Sequence, residues 1–395
     1  MAGLYIHIPF CKSRCIYCGF YSTTGLELRQ RYVDAVCREM ESLPPPPSKE
    51  RGSISTIYIG GGTPSQLTIA QLRQLFIYIN KVYQLPLPLE GAGGRLEVTI
   101  EVNPDDVTEA FAEGLRELPV NRVSMGIQTF NDERLCFLHR RHSSEQAVRA
   151  VERLRDAGIG NISIDLMYGF PGETLEEWSY DIDRALALDV EHLSAYCLMV
   201  EKGTVLYEQM RNERNERNER NEKLEMRNEE AEEKEEKERQ MYEQLMDRLT
   251  AAGYEHYEIS NFARPGYRSR HNSSYWHDVP YIGLGAAAHS YDGNSRYWNV
   301  ADIRQYIEAI ERGETPSDSE LLDGDTRYND RITVALRTCE GIDLATLSDR
   351  HRSHCLREAR RYLDDGLLRL DGNRLMLTRR GLFVSDMVMA DLMMV

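Results

Sequence analysis

The chain has 395 residues, enough for two or three domains, and 41% of them are apolar. A net charge of −16 argues against a protein that binds nucleic acids through their phosphates, which requires clustered Lys and Arg. We find neither the pattern of a secretory signal peptide nor the ~20 consecutive apolar residues that span a bilayer, so we expect a cytoplasmic protein without a nucleic-acid partner.

Short β-branched runs alternate with amphipathic helical patterns through the first half of the chain. The predicted strands cover residues 4–8, 54–60, 96–102, 122–128, 161–168 and 192–199. The predicted helices cover residues 27–42, 68–83, 108–118, 144–157 and 174–188, with loops at 44–47 (PPPP) and 91–94 (GAGG). The last helix opens with the capping-box spacing Thr174–Glu177. This alternation predicts an α/β fold, an incomplete TIM-type barrel of six β/α units.

Residues 211–239 have a different composition. The triplet RNE repeats four times and is followed by EEAEEKEEKER, without an apolar stripe. Glu213, Glu216 and Glu219 each precede a basic residue by four positions, which favours ion pairs along a helix. We therefore predict a solvated insertion, helical or disordered, that carries no chemistry.

The sequence after the insertion regains a globular composition. Residues 327–395 contain helices and two short strands joined by a two-residue turn at Gly372–Asn373, the pattern of a winged helix, and end in an amphipathic helix. We divide the chain into a partial barrel (1–208), the charged insertion (209–240), a linking region that completes the barrel (241–315) and a C-terminal winged-helix-like α+β domain (316–395).

Three of the eight cysteines cluster, and they lie directly after the first strand. Cys11, Cys15 and Cys18 have the spacing C-x3-C-x2-C, and position 20 is Phe. A structural zinc site would need a fourth ligand, for which His7 is the nearest candidate, on a strand that would hold it away. A redox Cys-x-x-Cys pair would leave Cys11 without a role. A 4Fe–4S cluster with one open iron would use all three cysteines.

The cysteine motif after the first strand of a β/α barrel resembles that of the radical S-adenosylmethionine (SAM) superfamily. Five further motifs are similar to those of the HemN/HemW family within it: GGGTP at 60–64, IEVNP at 100–104, SMGIQTF at 124–130, IDLMYGFPGET at 164–174 and YEISNFA at 257–263. The resemblance covers nearly the whole chain outside 211–239. It implies a 4Fe–4S cluster held by Cys11, Cys15 and Cys18, whose open iron chelates SAM.

The resemblance also implies the SAM-binding residues. In this family SAM contacts correspond to Tyr5, the backbone at Tyr17, Gly61, Gly62, Thr63, Glu101, Gln128, Arg140 and Asp165. The polar ones lie near the ends of apolar strands, and the carboxyl ends of barrel strands are where functional side chains are found.

Two functions are known in this family. One is oxygen-independent coproporphyrinogen III dehydrogenation, a radical SAM decarboxylation in porphyrin biosynthesis. The other is heme trafficking, in which the chaperone delivers heme to respiratory hemoproteins. The dehydrogenases have a fourth cysteine where this chain has Phe20, and a longer segment before the cluster than the ten residues here. We therefore expect a heme chaperone without dehydrogenase activity, with the dehydrogenase as the alternative.

The segment HNSSYW at 271–276 matches a motif of the chaperones. There the histidine is linked to heme, which predicts His271 as a heme ligand with Tyr275 and Trp276 beside the porphyrin. His277 and His289 are alternative ligands. The resemblance further suggests a homodimer and peripheral contact with the membrane.

Overall fold

The computed structural model describes residues 2–43, 54–85, 96–219 and 224–394, with side chains given outside 213–231. The predicted loops at 44–47 and 91–94 therefore lie outside the described residues.

The first part of the chain alternates strands and helices. Its strands are β1 (Ala2–Ile8), β2 (Ile54–Gly61), β3 (Glu97–Val102), β4 (Arg122–Gln128), β5 (Ile162–Tyr168) and β6 (His192–Cys197). Its helices are α1 (Arg29–Ser42), α2 (Ile69–Tyr83), α3 (Glu109–Arg116), α4 (Asp132–Phe137), α5 (Ser144–Asp156), α6 (Leu175–Ala187) and α7 (Val205–Glu219). All six predicted strands and five predicted helices are present, and α4 was not predicted.

Helix α8 (Leu224–Ala251) leads into the second part of the chain. The strands here are β7 (Glu255–Glu258), β8 (Asn261–Ala263), β9 (Tyr281–Leu284), β10 (His289–Tyr291), β11 (Ser295–Asn299), β12 (Ser317–Leu321), β13 (Ile342–Asp343), β14 (Leu368–Asp371) and β15 (Arg374–Leu377). The helices are α9 (Arg270–Trp276), α10 (Ile303–Glu311), α11 (Gly324–Ala335), α12 (Asp349–Asp364), α13 (Arg379–Leu382) and α14 (Ser385–Leu392).

Strands β1 to β6 are parallel and lie side by side in chain order, which confirms the predicted six-unit barrel. The sheet continues beyond both edges in the order β12-β11-β10-β9-β1-β2-β3-β4-β5-β6-β8-β7. Strand β9 pairs parallel to β1, and β8 pairs antiparallel to β6. Strands β7 to β11 lie in the region 241–315 that was expected to complete the barrel, but their individual positions and pairing were not predicted.

The two faces of the barrel sheet differ in chemistry because side chains alternate along each strand. One row across the sheet, which contains Ile59, Ile100, Val123 and Ile162, is apolar and fully buried in the main core. The neighbouring row contains Tyr5, Tyr58, Thr99 and Arg122 and faces the inside of the barrel. The inside is therefore largely polar, and the apolar core lies between strands and helices.

The charged insertion is helical where its backbone is described. Helix α8 runs past residue 240, the predicted end of the insertion, and buries Met241, Leu245 and Leu249 in the main core. The side chains of Glu213, Glu216 and Glu219 are not among those that the structure describes, so their predicted ion pairs stay a prediction. The domain boundaries stay a prediction.

The C-terminal unit has its own apolar core, formed by residues between Tyr328 and Leu392. Strands β14 and β15 pair antiparallel around Gly372 and Asn373, which confirms the predicted turn, and Gly372 has a φ of 56°. The last helix, α14, buries Val388 and Leu392 as expected of an amphipathic helix.

Candidate functional site

The cysteine loop follows β1 at the carboxyl end of the strands. Its backbone is fixed at two points, where the Cys11 amide donates to the Thr23 carbonyl at 2.9 Å and the Ile16 amide donates to the Leu138 carbonyl at 3.3 Å. Ile16 and Leu138 are buried together in a small apolar cluster. The three cysteines are partly exposed and unpaired, so their thiols are available as ligands.

The three separate thiols of the loop are compatible with a 4Fe–4S cluster. Among the described residues, no three His, Cys, Asp or Glu side chains converge as ligands of one metal ion. A 4Fe–4S cluster binds each thiolate at a separate iron and does not need that convergence. His7 is not a fourth ligand here, because its Nε2 lies 3.2 Å from the Tyr21 carbonyl and its Nδ1 lies 2.9 Å from the Tyr5 hydroxyl.

A chain of polar contacts joins two of the cysteines across the strand ends. The Cys11 Sγ lies 3.5 Å from the Thr63 hydroxyl, to which the Asn103 amide donates at 3.3 Å. The Arg140 Nη2 donates to the Asn103 Oδ1 at 2.9 Å, and its Nη1 donates to the Cys15 Sγ at 3.6 Å. The structure therefore brings the predicted residues Thr63 and Arg140 to Cys11 and Cys15, through an asparagine that we did not predict.

One N–H donor of the Arg140 guanidinium is unpaired among the described residues. Its Nε is buried and has no hydrogen-bond partner in the part of the chain that the structure describes. A buried unpaired donor is costly unless a ligand or water satisfies it. This orphaned N–H beside a cysteine of the cluster fits a bound anionic group, such as the carboxylate of SAM.

Glu101 lies inside the barrel mouth and is held by β2. It accepts from the Tyr58 hydroxyl at 2.7 Å and from the Gly61 amide at 3.0 Å. Burial raises its pKa to about 7, which the hydrogen bond from Tyr58 opposes. Gly61 has a φ of 115°, and a Cβ there would lie 2.7 Å from the His7 ring, so this close approach requires glycine.

Gln128 and Asp165 lie on the neighbouring strands. Gln128 has a φ of 72° at the end of β4, and a Cβ added to Gly126 would lie 2.6 Å from its Nε2. Burial raises the pKa of Asp165 to about 6, and Arg122 opposes this rise. The predicted SAM residues on β2 to β5 thus share one end of the barrel. Tyr17 packs against the small cluster of Ile16.

Arg122 was not predicted as a site residue. Its side chain is 1% exposed inside the barrel, and its Nε has no partner among the described residues. Its positive charge opposes the rise that burial causes in the pKa of both Glu101 and Asp165. Arg122 is therefore a buried positive charge that partly offsets the effect of burial on the two carboxylates.

Helix α9, which contains HNSSYW, closes the amino-terminal end of the barrel. Glu97 on β3 accepts from the Arg270 and His271 amides at 3.0 and 2.9 Å. The His271 side chain is 1% exposed; its Nδ1 lies 2.8 Å from the Thr56 hydroxyl and its Nε2 lies 2.9 Å from the Tyr275 hydroxyl. As placed, His271 offers no free nitrogen to a heme iron, and the motif does not fit an axially ligated heme.

The other members of the motif and the alternative ligands lie further out. Tyr275 and Trp276 are half-buried, with Trp276 edge-on to Tyr257. His277 is exposed, and its Nε2 lies 2.9 Å from a Glu340 carboxylate oxygen. His289 on β10 is exposed.

Two signals in the sequence could have identified the residues that we missed. Asn103 belongs to the IEVNP motif, at the end of a strand where polar side chains concentrate. Arg122 opens an apolar strand, where a charge needs a partner. Thr56 and Glu97, which contact His271 from β2 and β3, left no local signal in the sequence.

Family models match two parts of the chain. Residues 5–185 match the radical SAM superfamily, and residues 322–384 match the HemN C-terminal domain. Among solved structures, the chain is similar to coproporphyrinogen III oxidase (HemN) from Escherichia coli, with a TM-score of 0.76 and 20% identity over 99% of this chain and 89% of that one. This likeness shows the fold.

Curated relatives match over most of their length. The heme chaperone HemW of Bacillus subtilis is 36% identical, covering 89% of this chain and 87% of the relative. The heme chaperone HemW of Lactococcus lactis is 35% identical, covering 86% and 82%, and that of Escherichia coli is 34% identical, covering 73% and 69%.

Proposed function

Because this chain belongs to the HemW family of radical SAM proteins, we propose that it is a heme chaperone, which binds heme and delivers it to respiratory hemoproteins. The observation that carries the proposal is 33–36% identity to curated heme chaperones that match it over most of their length. The cluster loop of the superfamily is kept, and position 20, where the dehydrogenase motif has a cysteine, is a Phe with 72% exposure.

We propose that Cys11, Cys15 and Cys18 hold a 4Fe–4S cluster with an open iron. When bound, such a cluster supplies an electron and a coordination site for SAM. Arg140 donates to the Cys15 sulfur, which stabilises the thiolate form of that cysteine. The Arg140 Nε, unpaired among the described residues, would donate to the SAM carboxylate. Glu101 and Asp165 supply oxygen acceptors inside the same end of the barrel, for the ammonium and hydroxyl groups of SAM.

The partners follow from the same proposal. Heme is the cargo and a hemoprotein the recipient, in the cytoplasm, with a homodimer and a peripheral membrane contact as further parts of the proposal, which rest on the family resemblance. Among the described residues, no helix is long and apolar enough to cross a bilayer.

A transfer assay tests the function. The protein is reconstituted anaerobically, loaded with hemin, freed of excess hemin and mixed with membranes from heme-deficient cells that contain an apo-form respiratory reductase. We expect reductase activity to return, faster than with an equal amount of hemin on serum albumin. Equal rates from the two heme sources would contradict the proposed delivery.

A further inference from the structure

A heme chaperone must present a heme site that a recipient can reach. His271 does not provide one in this structure, because its side chain is buried and both of its ring nitrogens have hydrogen-bond partners. Heme ligation in an accessible site then requires another imidazole beside an apolar surface of suitable size.

The inner face of the barrel sheet continues onto β9, β10 and β11. The register pairs Tyr281 with both Gly3 and Tyr291, and it pairs His289 with Trp298. Directly paired residues share a face, and residues two apart on one strand share it too. Tyr281, His289, Tyr291 and Trp298 therefore form one surface, which we call the aromatic face.

The aromatic face has the dimensions and composition of a porphyrin platform. Three strands spaced ~4.8 Å apart span about 10 Å from β9 to β11, comparable with a porphyrin ring. Its rings are close, with Tyr281 and Tyr291 centroids 6.3 Å apart and His289 and Trp298 centroids also 6.3 Å apart. Tyrosine and tryptophan offer large apolar surfaces with polar edges.

His289 is the imidazole on this face, and a neutral imidazole is a common axial ligand of heme iron. Its side chain is exposed, and its imidazole forms no hydrogen bond with any described residue. Burial of part of the ring, with the nearby Arg296, lowers its pKa from 6.5, which favours the neutral form that ligates metals. His277 is exposed as well, but it is paired with Glu340.

Positive charge lies along one side of the face. Arg296 is paired with Tyr291 in the register and forms an ion pair with Asp330. Arg327 donates to the Asn294 Oδ1 at 3.1 Å, in the turn between β10 and β11. Guanidinium groups pair well with carboxylates such as the heme propionates. On the next strand, β12, the exposed acids Asp318 and Glu320 continue the register, so the favourable surface ends at β11.

We propose that heme binds on the aromatic face, with His289 as an axial ligand of the iron and Arg296 pairing with a propionate. This site rests on the proposed function and deepens it. It also gives the HNSSYW motif a different role. The Tyr275 ring packs edge-on against Tyr281 with centroids 4.7 Å apart, and His271 holds the Tyr275 hydroxyl. His271 is then a positioning residue for the face and does not contact heme.

Spectroscopic titration of the full-length protein with two probes tests this site. Hemin contains iron and needs an axial ligand, whereas iron-free protoporphyrin IX reports the face alone. We expect His289→Ala to shift the Soret maximum and weaken hemin binding about tenfold, equivalent to about 1.4 kcal/mol, while protoporphyrin IX binding stays within about twofold. Trp298→Leu should weaken both probes, and Arg296→Gln should weaken both without moving the Soret maximum.

Two matched variants complete the design. His277→Ala removes an exposed histidine off the aromatic face and should change neither probe. His271→Gln should weaken both probes together, as expected of a positioning residue, without a change of iron ligand in the spectrum. If His289→Ala left the hemin spectrum and affinity unaltered, this site would be wrong while the proposed function stood. If the wild type bound no hemin, the proposed function itself would fail.

Discussion

The imidazole of His271 is bound to the hydroxyl of Thr56, with 2.8 Å between Nδ1 and Oγ1. The contact joins α9 to the second strand of the barrel, β2, inside the barrel. A residue that the sequence presents as a ligand therefore acts, in this fold, as part of a buried polar network.

The burial of His271 predicts a pH-dependent stability. Burial lowers its pKa to about 3, with a further contribution from Arg122. Below about pH 6.5 the unfolded chain takes up a proton here that the folded chain refuses, so this residue contributes stability at neutral pH that is lost as the pH falls. His271→Gln should cost about 1–3 kcal/mol at neutral pH, and its deficit in Tm should shrink as the pH is lowered to about 5.

The control for this measurement is His277→Gln, because His277 is exposed. Its Tm difference from the wild type should not shrink on acidification. A constant deficit for His271→Gln across the same pH range would mean that His271 is not buried in the neutral form.

The raised pKa of Glu101 predicts the opposite pH dependence of stability. Burial raises its pKa to about 7, so between about pH 4.5 and about pH 7 the folded chain holds a proton that the unfolded chain has released, and stability falls as the pH rises. Glu101→Gln lacks this loss, so its Tm should gain on that of the wild type as the pH rises through this window. Glu117→Gln, at an exposed ion pair with Arg73, is the control and should show no trend. A flat Tm difference for Glu101→Gln would contradict the raised pKa.

Arg140 and Arg141 form a natural matched pair. Arg140 donates to the Cys15 sulfur, whereas Arg141 pairs with Asp105 at 2.7 Å. Hydrogen bonds and charge at the sulfurs set cluster potentials, so Arg140→Met should make the midpoint potential of the reconstituted cluster more negative and weaken the EPR change on adding SAM. Arg141→Met should change the potential far less. Equal shifts in both variants would show that Arg140 acts only through long-range charge.

We expect the Tm to depend on how much of the charged insertion is deleted. The sequence alone predicts that 211–239 is dispensable. However, Glu238 lies against the loop of Gly169, where a Cβ would be 3.3 Å from its Oε1, and residues 237–240 are half-buried. Replacing 213–231 with a Gly/Ser linker should leave the Tm and hemin binding within error, and extending the deletion to 239 should lower the Tm. A large loss from the shorter deletion would mean that the repeat itself packs against the protein.

The strands of the barrel were predictable because each is a short, largely apolar run, and several of the helices between them begin at a side-chain cap. Thr174 and Glu177 form the predicted capping box, and β4 begins and ends at the predicted residues 122 and 128. The strands β7 to β12 are short and mixed in polarity, and they add to a sheet that already exists. Their pairing depends on long-range register, which local patterns do not encode.

Some features of the candidate site were likewise predictable from the sequence, and others were not. The cysteine spacing predicted the cluster loop, and its polar position near a strand end pointed to Glu101, whereas Arg140 was expected only from the family resemblance. The link through Asn103 and the counter-charge of Arg122 depend on strands that meet only in the folded barrel. One partner of the His271 ring is likewise a threonine 215 residues away in sequence.

The central claim is that this radical SAM protein carries heme and does not make its precursor. One anaerobic sample, reconstituted with iron and sulfide, should be titrated with hemin and, in parallel, incubated with coproporphyrinogen III, SAM and an electron donor. The account predicts saturable hemin binding with a histidine-ligated spectrum and no protoporphyrinogen IX. Formation of protoporphyrinogen IX with several turnovers, together with no saturable hemin binding, would contradict it.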